Sequence, residues 1–389
     1  MIKTNIDNGV FTVHLSGRID SSNSADVEKE IIDAIGDFKG ELVLDASELE
    51  YISSAGLRVV LRLKKLNPTT CIINCNSEVY EIFDMTGFVE MMDISKAYRK
   101  IEVEGCEVIG EGANGIVYRT DPDTIVKVYK NPNALAEIHN ERELARKAFV
   151  MGIPTAIPYD VVQVGDLYGS VFELLDAKSF ANLLQEGADA DELAKESVEI
   201  LKTIHSTMLK DGELPSKKKE ADGWAEYCAP HLPEETAKLL VKAFSEIPET
   251  NNMLHGDYHI KNIMRQNGEN LLIDMDTLSM GHPIFEFAAI YAAYVGFSCV
   301  DKTNCPTFLG ITAEQCQTFW DSTVKYYFDG ESDEFIENFQ RMCDIICYTR
   351  VLRRTIKRYK GDNENQKALI DWCKQYLIEN VPKIDKLYY

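Results

Sequence analysis

The chain has 389 residues, 45% of them hydrophobic and 27% charged, with a formal net charge of −22 from 63 acidic and 41 basic side chains. That composition excludes global disorder, and the length implies two to three domains rather than one core. The acidic balance argues against nucleic acid or an anionic membrane as partner, because both need surfaces rich in Lys and Arg. It leaves room for a local phosphate site, which takes only a few donors.

The opening segment, Met1 to Asp7, lacks the apolar core of a secretion signal. The most membrane-like run, Phe285 to Val300, contains Glu286 and falls short of the roughly 20 residues of a spanning helix, so it reads as a buried helix. Ten cysteines without a CxxC pair read as reduced thiols. The expectation is a cytoplasmic protein.

In chain order, Val10–Leu15 reads as a strand, and Asn23 stands where it can cap a helix running from Ser24 to about Phe38. Glu41–Asp45 and Cys71–Asn74 read as further core strands. Between them Ser54-Ala55-Gly56 opens an amphipathic helix carrying Leu57, Val60, Leu61 and Leu63. These elements predict a small α/β layer domain over 1–104. A serine at such a helix start serves as a cap, and the same place tolerates a phosphate because free N–H groups and the helix dipole favour negative charge.

From Gly105 the pattern changes to successive strands and then, from about Asp191, to helices interrupted by a motif-dense stretch between Met253 and Pro283. Gly110-Glu111-Gly112-Ala113-Asn114-Gly115 has GxGxxG spacing, and a second strand, Ile125–Val128, follows it where a dinucleotide fold would have a helix. Glycines between two strands let backbone N–H groups approach phosphates, and Lys127 then sits where a strand lysine meets the α- and β-phosphates. Of the two glutamates on the next helix, Glu141 is chosen to hold that lysine and Glu143 is the fallback.

His255-Gly256-Asp257-Tyr258-His259-Ile260-Lys261-Asn262, followed by Leu271-Leu272-Ile273-Asp274-Met275-Asp276, supplies what phosphoryl transfer needs. Asp257 orients the acceptor hydroxyl, and Asn262 and Asp274 are oxygen ligands for Mg²⁺. His255 braces the loop, and Asp276 reads as a strand cap ahead of a third metal ligand. The two histidines lack further soft ligands at zinc spacing.

These residues resemble the aminoglycoside phosphotransferase and choline kinase-like family, within the protein-kinase-like fold. The resemblance covers roughly Cys106 to Tyr389. It implies an α+β bilobal domain, with an N-lobe at 105–176 and a helical C-lobe at 177–389. It also implies ATP as donor, and a hinge at Val171–Leu175 whose backbone pairs with adenine, so that Glu173 and Leu175 join Gly110, Gly112, Gly115 and Lys127 as nucleotide-binding positions. Glu286 stands where the family often has Asp.

Asp45–Leu57, together with Phe83–Phe88, resembles the STAS domain of anti-sigma-factor antagonists. That match makes Ser54 the phosphorylation candidate and implies a protein partner. Ser53 stands where Asp is usual. Two basic stripes, Arg58 to Lys65 and Arg350 to Lys360, have helical spacing and read as solvated or docking faces.

The expected function is an ATP- and Mg²⁺-dependent phosphotransferase acting on a hydroxyl of a small polar molecule, with a STAS-type regulatory domain. A protein serine kinase acting on Ser54, and a non-catalytic nucleotide sensor, are the alternatives.

Overall fold

The computed structural model describes residues 2–7, 9–112, 114–175, 177–359 and 363–389. Ala113 of the glycine motif and Lys360 of the second basic stripe lie outside the described residues. The chain divides into two compact units: Met1–Cys106 with Val128–Pro132 and Val161–Gly169, and Glu107–Lys127 with Asn133–Asp160 and Ser170–Tyr389.

The first unit contains β1 (Ile2–Asp7), β2 (Val10–Ile19), α1 (Ser24–Ile35), β3 (Glu41–Ile52), α2 (Ser54–Leu66), β4 (Cys71–Cys75), α3 (Ser77–Met85) and β5 (Ile94–Lys96). The strands lie in sequence order. β1 pairs antiparallel with β2, and the later neighbours pair in parallel. Parallel neighbours need crossovers, which the three helices provide. Phe11, Val13 and Leu15 alternate into the core from β2, whereas β3 is buried continuously from Leu42 to Asp45, as befits a central parallel strand.

Helix α1 ends sooner than its apolar spacing implied, because Gly36 turns to φ 52. Asn23 occupies the cap position without capping: its side chain bonds Arg18 O and Asp20 N instead. The serine that caps α2 is Ser53, whose Oγ accepts from Ala55 N at 3.2 Å, leaving Ser54 as the exposed first residue of the helix. Arg62 and Lys64 of the first basic stripe are engaged within the unit, by Glu28 and by the carbonyls of Pro68 and Thr70.

A short strand β6 (Arg99–Lys100) precedes β7 (Glu107–Glu111), β8 (Gly115–Asp121), β9 (Thr124–Tyr129), α4 (Leu135–Val150), β10 (Asp160–Val164) and β11 (Leu167–Glu173). Beyond these come β12 (Lys178–Ser179), α5 (Phe180–Gln185), α6 (Ala190–Ser206), α7 (Lys217–Cys228), α8 (Glu234–Ser245), β13 (Met253–Leu254), β14 (Ile263–Gln266), β15 (Glu269–Leu272) and β16 (Ser279–Met280). The remainder is α9 (Ile284–Tyr294), α10 (Asn304–Leu309), α11 (Ala313–Tyr327), α12 (Asp333–Tyr359) and α13 (Glu364–Asn380).

Helix α9 is buried on almost every side, and the amphipathic helices α11 and α12 pack around it. Among the described residues no helix is long and apolar enough to cross a membrane.

The motif-dense stretch is irregular backbone sewn into this helical core. Strands β13 and β16 pair antiparallel, and between them β14 and β15 form a hairpin turned by Asn267 (φ 51) and Gly268 (φ 86), the left-handed pair that a two-residue hairpin favours. The loop from His255 to Asn262 has no strand partner along its length, so its polar backbone is satisfied by side chains. Glu286 of α9 accepts from His255 N at 2.5 Å and from Gly256 N at 3.0 Å. The Tyr294 hydroxyl accepts from Ile260 N at 3.0 Å. Tyr258 donates its hydroxyl to Ser197 O on α6 at 2.6 Å.

Burial pushes the Glu286 carboxyl from its ordinary 4.5 up to about 7, against the pull of the two N–H donors. A folded-state value above the unfolded one means that the native protein binds this proton more tightly. The stability it contributes therefore falls as pH rises from about 4.5 to about 7. Glu286→Gln removes that part of the pH dependence, measured as urea midpoints across this window. Glu286→Ala costs about 1–3 kcal/mol at any pH by stranding two N–H groups. Equal slopes in wild type and Glu286→Gln refute the assignment.

Candidate active site

Lys127 lies on β9 and Glu141 on α4. The ammonium Nζ stands 2.9 Å from Glu141 Oε1 and 3.2 Å from Oε2. Glu141 is buried, whereas Glu143 is exposed, so of the two helix glutamates it is Glu141 that reaches the lysine. The same ammonium lies 3.4 Å from Asp274 Oδ1, a residue 147 positions further along the chain.

The β14–β15 hairpin explains how Asp274 meets Asn262. Pairing of Ile263 with Leu272 places the residues flanking the two strands side by side, and Ile273 N donates to Asn262 O at 3.0 Å. Asp274 then takes φ 63 and ψ 61, a left-handed conformation unusual for a residue with a side chain, of the kind that accumulates at functional sites. Helix α4 packs on the 3₁₀ turn Met275–Thr277 that follows. Asp276 lies inside that turn and not at a strand end, which overturns its reading as a strand cap. Burial, then the charges of Asp274 and Glu141, push its carboxyl up to about 7.

Asp257 leaves the loop half-exposed, with Oδ2 3.5 Å from His259 Nε2. Burial raises its carboxyl, but the bond to His259 and the surrounding positive charge, Arg350's included, outweigh it, leaving the group below its ordinary 3.8 and ionised at neutral pH. Asn262 Nδ2 donates to Asp257 O at 3.0 Å, which leaves its amide oxygen to face a ligand. His255 Nδ1 accepts from Asp257 N at 3.3 Å, and Thr277 Oγ1 donates to His255 O at 2.7 Å. Burial holds His255 neutral, down at about 4. Gly256 (φ +86) admits no side chain, since a Cβ would lie 2.4 Å from Thr277 O.

The glycine motif forms the tip of the β7–β8 hairpin, where Gly112 N donates to Gly115 O at 2.9 Å and a bulge falls between Val108 and Gly110. An added Cβ at Gly112 would meet nothing within 4 Å, and at Gly110 nothing nearer than Val117 at 3.9 Å. The protein's own packing therefore does not require these residues to be small. Glu173 ends β11 with an exposed side chain, Leu174 N donates to Asp123 O at 2.9 Å, and Leu175 is half-buried.

The sequence reading missed the anchoring roles of Glu286 and Tyr294, both on α9. It also missed the contact of His259 with Asp257. The HxDxH spacing carried a signal for the last, and Glu286 was marked only as a departure from the family's usual Asp; nothing in the sequence pointed at Tyr294.

Comparison with known proteins adds an independent finding. The model of the phosphotransferase enzyme family, APH, matches residues 105–301, and that of the STAS domain matches residues 1–102. Over 93 residues the chain is 30% identical to a Bordetella bronchiseptica protein named as an anti-sigma factor antagonist, BtrV, covering 23% of this chain and 80% of that one. Among solved structures it is similar to a thermostable mutant of the aminoglycoside phosphotransferase APH(4)-Ia in ternary complex with AMP-PNP and hygromycin B (TM-score 0.50, 14% identity, 72% of this chain and 94% of that one). It is also similar to ADP-bound APH(2'')-Ib (TM-score 0.47, 16% identity, 79% and 99%). At these identities the likeness to solved structures is one of fold. The chain belongs to the phosphotransferase enzyme family and carries an N-terminal STAS domain of the kind found in an anti-sigma factor antagonist.

Proposed function

We propose that the chain transfers the γ-phosphoryl group of ATP to a hydroxyl of a small polar molecule. The observation that carries this reading is the meeting of Lys127, Glu141 and Asp274 at one ammonium, with Asn262 held beside Asp274 by the hairpin. Lys127 takes the α- and β-phosphates, and Glu141 fixes it there. The hairpin of Gly110, Gly112 and Gly115 covers the phosphates, its small residues letting the backbone approach, and Glu173 O and Leu175 N receive the adenine edge. Asp257, ionised and half-exposed, orients the acceptor hydroxyl. The acceptor's hydroxyl oxygen bonds to the γ-phosphorus as the bond to the β–γ bridging oxygen breaks; ADP leaves, and the hydroxyl proton passes to Asp257.

The donor set fits magnesium. Asn262 offers an amide oxygen whose NH₂ partner is already spent, and Asp274 a carboxylate that is 40% exposed. Asn262 and Asp274 would hold the ion, which would supply positive charge to offset that of the phosphates.

A second reading concerns the STAS domain. Ser54 is exposed at the first turn of α2, where N–H groups and the helix dipole favour a phosphate, so a serine kinase acting on Ser54 fits as well. In that reading phosphorylation governs docking of a protein partner. Incubating the full chain with labelled ATP then places phosphate on Ser54, and Ser54→Ala loses it; unlabelled Ser54 in the wild type removes this reading.

Asp257→Asn lowers kcat by about 10²–10⁴ in ADP-release assays across hydroxyl acceptors, with ATP affinity by calorimetry retained. Unchanged turnover excludes Asp257 from the orienting role. Glu141→Gln removes a charge-assisted contact of about 1.5–3 kcal/mol, roughly a 10- to 150-fold loss in kcat/KM for ATP. An unaffected Glu141→Gln enzyme means that Lys127 is held by other groups.

A further inference from the structure

We propose that the acceptor is an anion: a hydroxyl compound bearing a carboxylate or phosphate group, bound by the face that α7 and α12 present beside Asp257. The inference rests on the phosphotransferase reading and assigns that site its substrate class.

Lys217 and Trp224 of α7, Arg350 of α12, and Gly256 next to Asp257 line a cavity of about 10 Å³, room for about one water-sized oxygen. Arg350 places its guanidinium 5.6 Å from the centre of the Trp224 ring. One turn along α12, Arg353 lies 5.9 Å over Tyr227, and Arg354 lies 5.3 Å over Phe297. Aromatic backing of this kind holds a guanidinium flat and preorganised without neutralising it. Among the described residues no carboxylate comes within 4.0 Å of Arg350 or Arg353.

The carboxylates that do lie close are occupied. Glu220 is bound by Lys217 at 2.7 Å, and the two oxygens of Glu286 take His255 N and Gly256 N. The Trp224 indole N–H is buried and makes no hydrogen bond; Glu220 is near enough to feel it but stands outside bonding geometry. The lining therefore offers an unspent donor and positive charge but no unspent carboxylate. In a chain of net charge −22, Arg350 and Arg353 standing here without a carboxylate within 4.0 Å require a reason. The reach to the reacting position follows from the shared lining with Gly256, and Arg350's charge is among those that hold the Asp257 carboxyl down.

An anionic oxygen fits this set as a charge-assisted hydrogen-bond acceptor, with the hydroxyl of the same molecule at Asp257. An amine-bearing acceptor meets like charge here and is disfavoured. The transfer step is the one already described: the anion positions the acceptor and takes no part in bond making.

The test is calorimetric titration of the full-length chain, saturated with Mg²⁺ and AMP-PNP, with four probes: glycerate, glycerol 3-phosphate, glycerol and glucosamine. One or both anions bind roughly tenfold or more tightly than glycerol, and glucosamine binds no better than glycerol. Preference for glycerate marks a carboxylate site, and preference for glycerol 3-phosphate a phosphate site. Arg350→Gln weakens the preferred anion roughly tenfold, and Arg350→Lys recovers part of the loss. Lys238→Gln, on α8, leaves anion binding unchanged and so excludes a general charge effect. Arg353→Gln weakens the anion less than Arg350→Gln and stands in should the latter fail to fold. Failure of both anions to bind, glucosamine binding as tightly as the anions, or anion binding indifferent to both arginines overturns the proposal. Nucleotide binding in the same sample separates the two readings. AMP-PNP bound with both anions refused removes the anionic acceptor alone, whereas a chain that binds no nucleotide loses both.

Discussion

One ammonium group sets the constraint on which the catalytic half of the chain depends. Lys127 Nζ must sit within hydrogen-bonding distance of Glu141 and close to Asp274 at once, and the three residues come from a strand, a helix and the end of a hairpin. Glu141 is almost wholly buried, so its carboxylate would be a severe cost without a partner, and the lysine is that partner. The demand propagates outward. Helix α4 must lie where its sixth to eighth residues face β9, and it is held there by packing on the turn at Met275–Thr277. Asp274 enters that turn in a left-handed conformation, so its backbone outlier and the ion pair at Lys127 lie at one junction.

The second requirement is that an irregular loop be held rigid. A functional loop carries backbone donors that no strand ladder satisfies, and water would satisfy them only at the cost of mobility. Here the helical core does so instead: Glu286 and Tyr294 of α9 and the carbonyl of Ser197 on α6 each bind one part of the segment from His255 to Ile260. Because α9 is buried on almost every side, these anchors inherit the rigidity of the core. The placement of Asp257 and Asn262 thus traces to a helix whose sequence shows only hydrophobicity and one acid.

What the sequence made legible follows the same division. Patterns with a local cause were readable: the strand at Val10–Leu15, and the strand lysine after glycines set between two strands. The limits of elements were less so. β3 runs to Ile52, well past the apolar run ending at Asp45, because parallel pairing with β2 continues through two register shifts that no side-chain pattern announces. Neighbouring serines cannot be told apart by preference alone; whether Ser53 or Ser54 caps α2 depends on which one the chain leaves extended, and Ser53 takes ψ 174. Asn23 had the right residue type in the right place, but its amide found nearer partners in Arg18 and Asp20. Tyr294 and Trp224 were opaque, and Glu286 and Arg350 were seen without their roles, for a common reason: each acts across thirty or more residues of chain, on a partner that only the assembled core brings near.

The charges around Asp257 are not symmetric, and the asymmetry bears on how two substrates are told apart. On the side of Lys127, carboxylates outnumber cations: burial together with the charges of Asp274 and Glu141 keeps Asp276 at about 7, near the point of holding its proton at neutral pH. A surplus of this kind is relieved by a cation arriving with the nucleotide. On the side of α7 and α12 the surplus is positive, with Arg350 and Arg353 backed by aromatic rings. A polyamine acceptor would be drawn to the carboxylates meant for the metal and would compete with it, whereas an anion is repelled from that side and held on the other. On the anionic-acceptor reading, opposite charge on the two flanks of that carboxylate would favour an anion over a polyamine as the acceptor.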